Sequence, residues 1–491
     1  MQPLVRQCRS LECAALECAA MHPTKAGSPR LAVVPVAGCG YSSGVPNFTA
    51  RCFVPCSAAE AYAWHAAPGA LPRLVPPWSG VQVISPPAGI LQGSRAVLSV
   101  PGPGGLRWHW EAKHSDVVPG QRFVDTQQEG PFRSWRHEHR FTDVAGGCQL
   151  EDSIEFHAHA GTGWLADGLV LRQLARQFAW RHARFQEDLA RHRAAALPRM
   201  RILVTGASGL VGSALVNYLT TGGHEVVRLR RGPTWDPAAA RLDPQVFTGV
   251  DAVIHLTGAP VARRWTPAVR AEIESSRAVS TALLATVLAQ LKNPPHTLIV
   301  ASGIGAYGDA GERVCREGSP TTGDSFLAGV CRGWEAAADP ARAAGIRTVH
   351  LRIGMVLANE GGALATMLPA FRAGLGGRIG AGSQWVSWIG RDDLVHIIHA
   401  ALADRRLSGP VNAVAPRAIR QQDFAATLAA VLHRPSLAPL PAYAVTTLFG
   451  DMGRELLLSS CNAEPGHLSA SGFRWMQADL RSALRWELGL S

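Results

Sequence analysis

The sequence predicts an α/β protein with a doubly wound parallel sheet at its centre, a small substrate lobe after it and an α+β module before it. Three observations predict this. Residues 203–212 read Leu203, Val204, Thr205, Gly206, Ala207, Ser208, Gly209, Leu210, Val211, Gly212, an apolar run that breaks into a G-x-x-G-x-x-G loop and then a helical stretch. A second apolar run at 225–229 follows that stretch, so strand, glycine turn, helix and strand occupy about 30 residues, the length of one βαβ unit. Ahead of this unit, residues 48–157 hold strand-like runs separated by turn signals, and one long amphipathic helix closes the region.

Length and composition set the bounds. At 491 residues the chain exceeds one typical core, so two or more domains are expected. The formal charge is +11, but only three of the 48 basic residues are lysine (Lys25, Lys113, Lys292), and the arginines are scattered. Without a dense basic block, no nucleic-acid partner is expected. No apolar run reaches the ~18 residues of a membrane-spanning helix, so no integral membrane segment is expected. Glu12 and Glu17 interrupt the N-terminus, which argues against a secretory signal. The ten cysteines form no C-x-x-C pair, and scattered thiols of this kind suit a reducing cytoplasm.

Taken in order, residues 1–46 carry LECAA twice, at 11–15 and 16–20, and then lack any sustained period. An unstructured extension is expected there. Residues 47–195 form the second region: a strand at 48–54, a short helix at 57–65, strands near 81–84, 94–100, 106–114, 122–127, 134–142 and 149–157, and a helix at 168–193. On that helix Leu171, Leu174, Phe178, Phe185 and Leu189 share a face. This order of elements resembles the helix-grip fold of the START-like polyketide cyclase and lipid-transfer superfamily, which implies a cavity for an apolar ligand. A hinge at 193–198 leaves room for relative motion but not for a long tether.

Residues 199–430 are expected to form a Rossmann-type domain, with 431–491 as the C-terminal lobe. In the loop, Gly206 permits the tight turn, Gly209 lets the backbone approach a pyrophosphate, and Gly212 allows close helix–strand packing. The pyrophosphate would lie on the free N–H groups opening the helix. An acidic residue at the end of the second strand would bind a ribose 2′-hydroxyl; this chain has Arg228, Arg230 and Arg231 instead. Guanidinium groups suit a 2′-phosphate, so NADP(H) is expected rather than NAD, with Arg231 and then Arg230 as contacts. The next strand, 251–256, ends in Leu256, Thr257, Gly258 and Ala259, where small residues let the nucleotide cross the crevice. A further strand at 297–301 leads into Ser302, Gly303, Ile304, Gly305, Ala306, Tyr307 and Gly308.

These segments resemble the extended short-chain dehydrogenase/reductase superfamily of epimerases and dehydratases. Arg264-Trp265, Ser276-Arg277, Leu351-Arg352-Ile353-Gly354, Gln384-Trp385, Gly409-Pro410-Val411-Asn412 and Gly472-Phe473 are similar to its bacterial sugar-nucleotide-epimerase-like branch. That branch carries a small C-terminal domain of unknown function, and fusion to a START-like module is part of its pattern. The resemblance implies a small-molecule substrate between the Rossmann domain and a lobe from about 355–385 and 430–491, with Arg352, Gln384 and Trp385 lining its pocket. It also implies hydride transfer at a carbon bearing oxygen.

One departure stands out. The superfamily's Tyr-x-x-x-Lys pair, in which Tyr moves a proton and Lys lowers its pKa, is absent: Leu327 and Cys331 occupy those positions. Ser302 and Tyr307, on the loop that borders the nicotinamide in this fold, become the catalytic candidates. Cys331 ranks below them, because an apolar helix face usually buries an inert thiol. A non-catalytic NADPH-binding regulator of the START-like domain is the rival reading. His137 and His139 alternate on one strand and share a face, but no third ligand lies at useful spacing, so no metal is expected. His157 and His159 repeat the spacing and receive the same reading.

Overall fold

The predicted strands of the N-terminal module form one sheet, with alternating burial along residues 45–54, 134–141 and 147–156. The computed structural model describes residues 36–42, 45–158 and 163–490. Strands β1 (Val36–Ser42), β2 (Val45–Val54), β3 (Gln82–Ser85), β4 (Arg95–Pro101), β5 (Arg107–Val118), β6 (Arg122–Glu129), β7 (Ser134–Val144) and β8 (Gly147–His157) pair antiparallel in the order 1-2-8-7-6-5-4-3. Helices α1 (Ala58–Ala66) and α2 (Ala70–Leu74) connect β2 to β3. The side chain of Ser57 caps α1 by accepting from the Glu60 amide at 3.2 Å. The long helix α3 (Gly163–Ala195) packs Leu174, Phe178, Phe185 and Leu189 into the sheet, all nearly fully buried. This is a helix-grip module.

The expected extension needs one correction. Residues 1–35 lie outside the described residues, but β1 pairs with β2 from Val36↔Arg51 to Ser42↔Val45. Its run of Val, Ala, Gly, Cys, Gly, Tyr and Ser has no apolar alternation, so the backbone ladder to β2 holds it without a sequence signal.

The central domain is a six-stranded parallel sheet. Its strands are β9 (Arg201–Thr205), β10 (Glu225–Leu229), β11 (Ala252–His255), β12 (Thr297–Gly303), β13 (Arg347–Ile353) and β14 (Gly409–Ala413), in the order 10-9-11-12-13-14. Ile202, Val204, Ala252 and Ile254 face a core with α4 (Leu210–Thr221) and α7 (Arg391–Ala403). Leu203, Val253 and Leu298 face the opposite core with α5 (Pro267–Gln290) and α6 (Phe326–Ala336). Strand succession reverses between β9 and β11 while the strands stay parallel, the switch point at which such sheets open a crevice at the carboxyl ends. The C-terminal lobe ends in α8 (Leu480–Leu488), whose Leu480, Ala483 and Leu484 join a core with Leu364 and Phe424.

The two modules are docked, where the sequence left room for relative motion. A Cβ on Gly69, before α2, would meet the Asn217 carbonyl oxygen of α4 at 2.0 Å. Trp180 of α3 stacks on Trp486 of α8 with centroids 5.1 Å apart. Between them Arg73 bridges Asp188 and Asp392, and Arg184 binds Asp392, all four side chains at most 2% exposed. Among the described residues no helix is long and apolar enough to cross a membrane.

Candidate functional site

The glycine loop lies at the crevice between β9 and β11. Gly206 has φ +67°, and a Cβ there would lie 2.8 Å from the Leu256 carbonyl carbon. A Cβ on Gly212 would lie 2.1 Å from the Gly206 carbonyl oxygen. These two positions are fixed by backbone contact. A Cβ on Gly209 would meet only the Gly206 oxygen, at 3.3 Å, so space remains in front of it for a ligand. The first helical bond of α4 runs from the Ser213 amide to the Gly209 carbonyl at 2.9 Å. The amides of Leu210, Val211 and Gly212 therefore open the helix without intrahelical partners, a cradle for an anion.

The side chain of Thr205 lies beneath this cradle. Its hydroxyl meets His255 Nδ1 at 2.7 Å and accepts from Thr257 Oγ1 at 2.9 Å, and His255 Nε2 lies 3.2 Å from Ser280 Oγ. Burial drives His255 down to about 4, so the imidazole is neutral and acts as a strut. Thr205 thus ties the loop to β11, to the turn after it and, through His255, to α5. Ser276 and Arg277 of α5 pin the turn that carries Leu256, Thr257, Gly258 and Ala259. Ser276 Oγ accepts from the Ala259 amide at 2.9 Å, and Arg277 Nη2 donates to the Ala259 carbonyl at 2.9 Å. Sequence reasoning gave this pair no role, because nothing local couples residue 259 to residue 277.

Leu229 is level with Thr205 in the parallel register, which brings Arg230 and Arg231 beside the glycine loop. Both are exposed, and among the described residues no carboxylate pairs with them or with Arg228.

The catalytic candidates are placed differently. Ser302 Oγ donates to Glu335 Oε1 at 2.8 Å, and Arg352 grips the same carboxylate through Nε and Nη2, each at 2.8 Å. Tyr307 is 1% exposed; its hydroxyl lies 2.7 Å from Asn412 Oδ1 and accepts from Arg352 Nη1 at 3.0 Å. Burial pushes that phenol up to about 12. A hydroxyl so engaged ties the loop after β12 to β13 and β14. Arg352 and Gln384, expected in a substrate pocket, are both buried, and Gln384 Nε2 donates to the Ile379 and Leu457 carbonyls at 3.1 and 2.9 Å. Trp385 is half-buried and lies under the Arg420 guanidinium, with a 3.8 Å approach to the ring centroid. Burial raises the Cys331 thiol to about 11, which leaves it inert at neutral pH. Unforeseen is Glu455 of the C-terminal lobe, whose carboxylate accepts from the Phe326 and Leu327 amides at 2.9 and 2.8 Å. It closes the start of α6 where the missing tyrosine would stand.

The helix-grip module encloses a cavity of about 680 Å³ between α3 and the sheet, with Leu74, Leu98, Val100, Trp110 and Phe178 on its apolar walls. His137, His139 and Asp125 line one part of it. The sequence offered no third ligand beside the histidine pair; strand register supplies one, because Asp125 of β6 stands directly opposite His137 of β7. His157 is paired with Ser134 Oγ at 2.8 Å, and His159 lies outside the described residues.

Three family models match the chain: NAD dependent epimerase/dehydratase over residues 202–413, a domain of unknown function (DUF1731) over 440–487, and polyketide cyclase/dehydrase and lipid transport over 54–183. Epimerase family protein MT2273 of Mycobacterium tuberculosis is 38% identical over 291 residues, 58% of this chain and 96% of that protein. The chain belongs to the epimerase family. Human epimerase family protein SDR39U1 is 36% identical over 296 residues, 58% of this chain and 99% of that one. Among solved structures, a nucleoside-diphosphate sugar epimerase from Corynebacterium glutamicum superposes with a TM-score of 0.74 at 31% identity, covering 90% of each chain. Human SDR39U1, solved with NADPH, gives a TM-score of 0.53 at 33% identity, covering 59% of this chain and 99% of that one. The three matches of this epimerase-family chain fall within residues 47–195, 199–430 and 431–491.

Proposed function

We infer that the chain is an NADP(H)-dependent oxidoreductase or epimerase of the atypical extended short-chain dehydrogenase type, acting on a small molecule between the Rossmann domain and the C-terminal lobe. The observation that carries this reading is the pairing of the amide cradle at 210–212 with exposed, unpaired Arg230 and Arg231 at the end of β10. The amides would hold the pyrophosphate, Arg231 and Arg230 the 2′-phosphate, and the 256–259 turn the flank of the nucleotide. NADPH in the related human structure supports the same cofactor. When bound, the nicotinamide supplies or accepts a hydride. The fused module would take an apolar small molecule, and the unpaired cysteines among the described residues suit a cytoplasmic setting.

The test is nucleotide titration of the full chain. One charge-assisted contact of about 1.5–3 kcal/mol corresponds to about a ten- to hundredfold preference for NADPH over NADH. Arg231→Glu should remove that preference. Equal affinities in the parent chain, or an unchanged preference in the variant, would overturn the assignment.

A second reading has its own support: Leu327 and Cys331 replace the proton-transfer pair, and the Tyr307 hydroxyl is tied to Arg352 and Asn412. Under it the chain binds NADPH to control the helix-grip module without turnover. Carbonyl compounds and sugar nucleotides supplied with saturating NADPH separate the two. Oxidation of NADPH with any of them favours the enzyme; none, with NADPH-dependent ligand affinity in the N-terminal cavity, favours the regulator.

A further inference from the structure

The wall of the N-terminal cavity holds a donor set that the nucleotide site does not use. One ligand atom each from Asp125, His137 and His139 can be chosen so that all lie within 4.8 Å of one another. His139 Nε2 and Asp125 Oδ2 are 3.3 Å apart, beyond the usual N–H···O range. Two donors each about 2.1 Å from a shared cation reach that separation at an angle of about 100°, close to tetrahedral or octahedral values.

The groups behind these donors are already arranged as for a metal centre. Asp152 Oδ1 is hydrogen-bonded to His137 Nε2 at 2.9 Å and lies 2.7 Å from His139 Nδ1 outside hydrogen-bond geometry, so the nitrogens it does not engage are His137 Nδ1 and His139 Nε2, the latter beside Asp125. Its other oxygen takes His182 Nε2 at 2.6 Å. His114 Nε2 lies 3.0 Å from Asp125 Oδ1, and His114 Nδ1 meets Ser94 Oγ at 2.9 Å. Metal-bound imidazoles characteristically give their second nitrogen to a carboxylate, as His137 Nε2 does to Asp152. The charges agree as well. Asp125 and Asp152 balance a divalent ion, and Arg181, also on the cavity wall, leaves one positive charge for an anionic oxygen of the occupant.

We propose that Asp125, His137 and His139 bind a divalent first-row transition-metal cation whose remaining coordination positions open into the apolar cavity, where an occupant bearing an anionic oxygen would complete the shell. Two imidazoles and one carboxylate favour such an ion over calcium or magnesium, which prefer oxygen shells.

The test uses the full chain, stripped with chelator and titrated with Zn2+ and, for its absorption, Co2+. About one equivalent should bind, with a Co2+ spectrum of mixed nitrogen and oxygen ligation. Asp125→Asn and His139→Gln should each weaken binding at least about 100-fold, and Asp152→Asn about 10- to 100-fold. NADPH affinity, measured on the same samples, should be unchanged and reports folding. Failure of the parent chain to bind a stoichiometric ion overturns the proposal. Retention of binding within threefold in both folded ligand variants also overturns it, since the ion would then sit elsewhere. If a variant loses NADPH affinity as well, the Co2+ spectrum of the parent decides, because an oxygen-only spectrum excludes the imidazoles.

Discussion

Asp392→Asn tests how the modules are joined. Asp392 accepts from Arg73 Nη1 at 2.9 Å, Arg184 Nη1 at 2.7 Å and Trp486 Nε1 at 2.9 Å, and also from Arg184 Nη2. Asp188 takes Arg73 Nε and Nη2 at 2.7 and 2.6 Å. Two guanidinium groups and two carboxylates thus balance with side chains at most 2% exposed, and His396 beside them is driven by burial down to about 3 and stays neutral. The amide leaves one buried positive charge uncompensated, which costs about 3–5 kcal/mol when one partner of a buried pair is removed. Urea unfolding of the full chain measures this. Asp392→Leu combined with Arg184→Met should recover most of the loss, because an apolar replacement of the whole pair is close to neutral. Burial pushes Asp392 up, but Arg184 and Arg73 outweigh it and hold the carboxyl well below the ordinary range. Its contribution is therefore present above the ordinary carboxylate pKa of about 4 and fades as pH falls further. The difference between parent and variant should hold from neutral pH to about 4 and shrink below it. A loss under about 1 kcal/mol, or additive single changes, would refute the reasoning.

Three further outcomes are expected. Gly206→Ala should both destabilise the chain and abolish NADPH binding, since φ +67° and the 2.8 Å approach to Leu256 admit no Cβ, whereas Gly209→Asp should melt near the parent temperature yet lose NADPH by calorimetry. Tyr307→Phe should lower stability by about 1–3 kcal/mol through the orphaned Arg352 and Asn412 groups while leaving any turnover intact. Glu487, raised by burial to about 8, costs stability progressively as pH rises from its ordinary value through 8, so Glu487→Gln should flatten the melting temperature between about pH 5 and pH 9.

The central fold was legible because its signals are local. Residues 201–229 carry an apolar strand, the three loop glycines and a helical period in sequence, and steric necessity at Gly206 and Gly212 explains why the pattern is informative. The face of α3 was legible for the same reason. Strand β1 was not, because an edge held by backbone pairing needs no apolar alternation. The seam was not either: Arg73 and Asp392 are 319 residues apart, and nothing near either residue announces a partner. The surroundings of Tyr307 were not legible either: its position on the loop after β12 is a sequence fact, whereas the partners of its hydroxyl, Arg352 and Asn412, come from later strands.

Three sets of buried and half-buried polar residues can be compared, and position separates ties from ligands. Arg73, Arg184, Asp188 and Asp392 lie in the seam between modules; Ser302, Glu335, Arg352 and Tyr307 join the carboxyl ends of β12 and β13 to α6 and Asn412. Each guanidinium in these sets is met by a carboxylate, and among the described residues neither set lines the N-terminal cavity. Such networks hold elements in register, and their loss should appear as lost stability. The cluster of Asp125, His137 and His139 is likewise made of charged and polar groups but borders about 680 Å³ of apolar space. Polar groups that face a cavity gain nothing in packing from being there, so their cost on folding is offset only by an occupant or by the partners behind them. That distinction makes loss of ligand affinity with NADPH binding preserved the expected signature of the third set, in contrast to the unfolding expected from the first two.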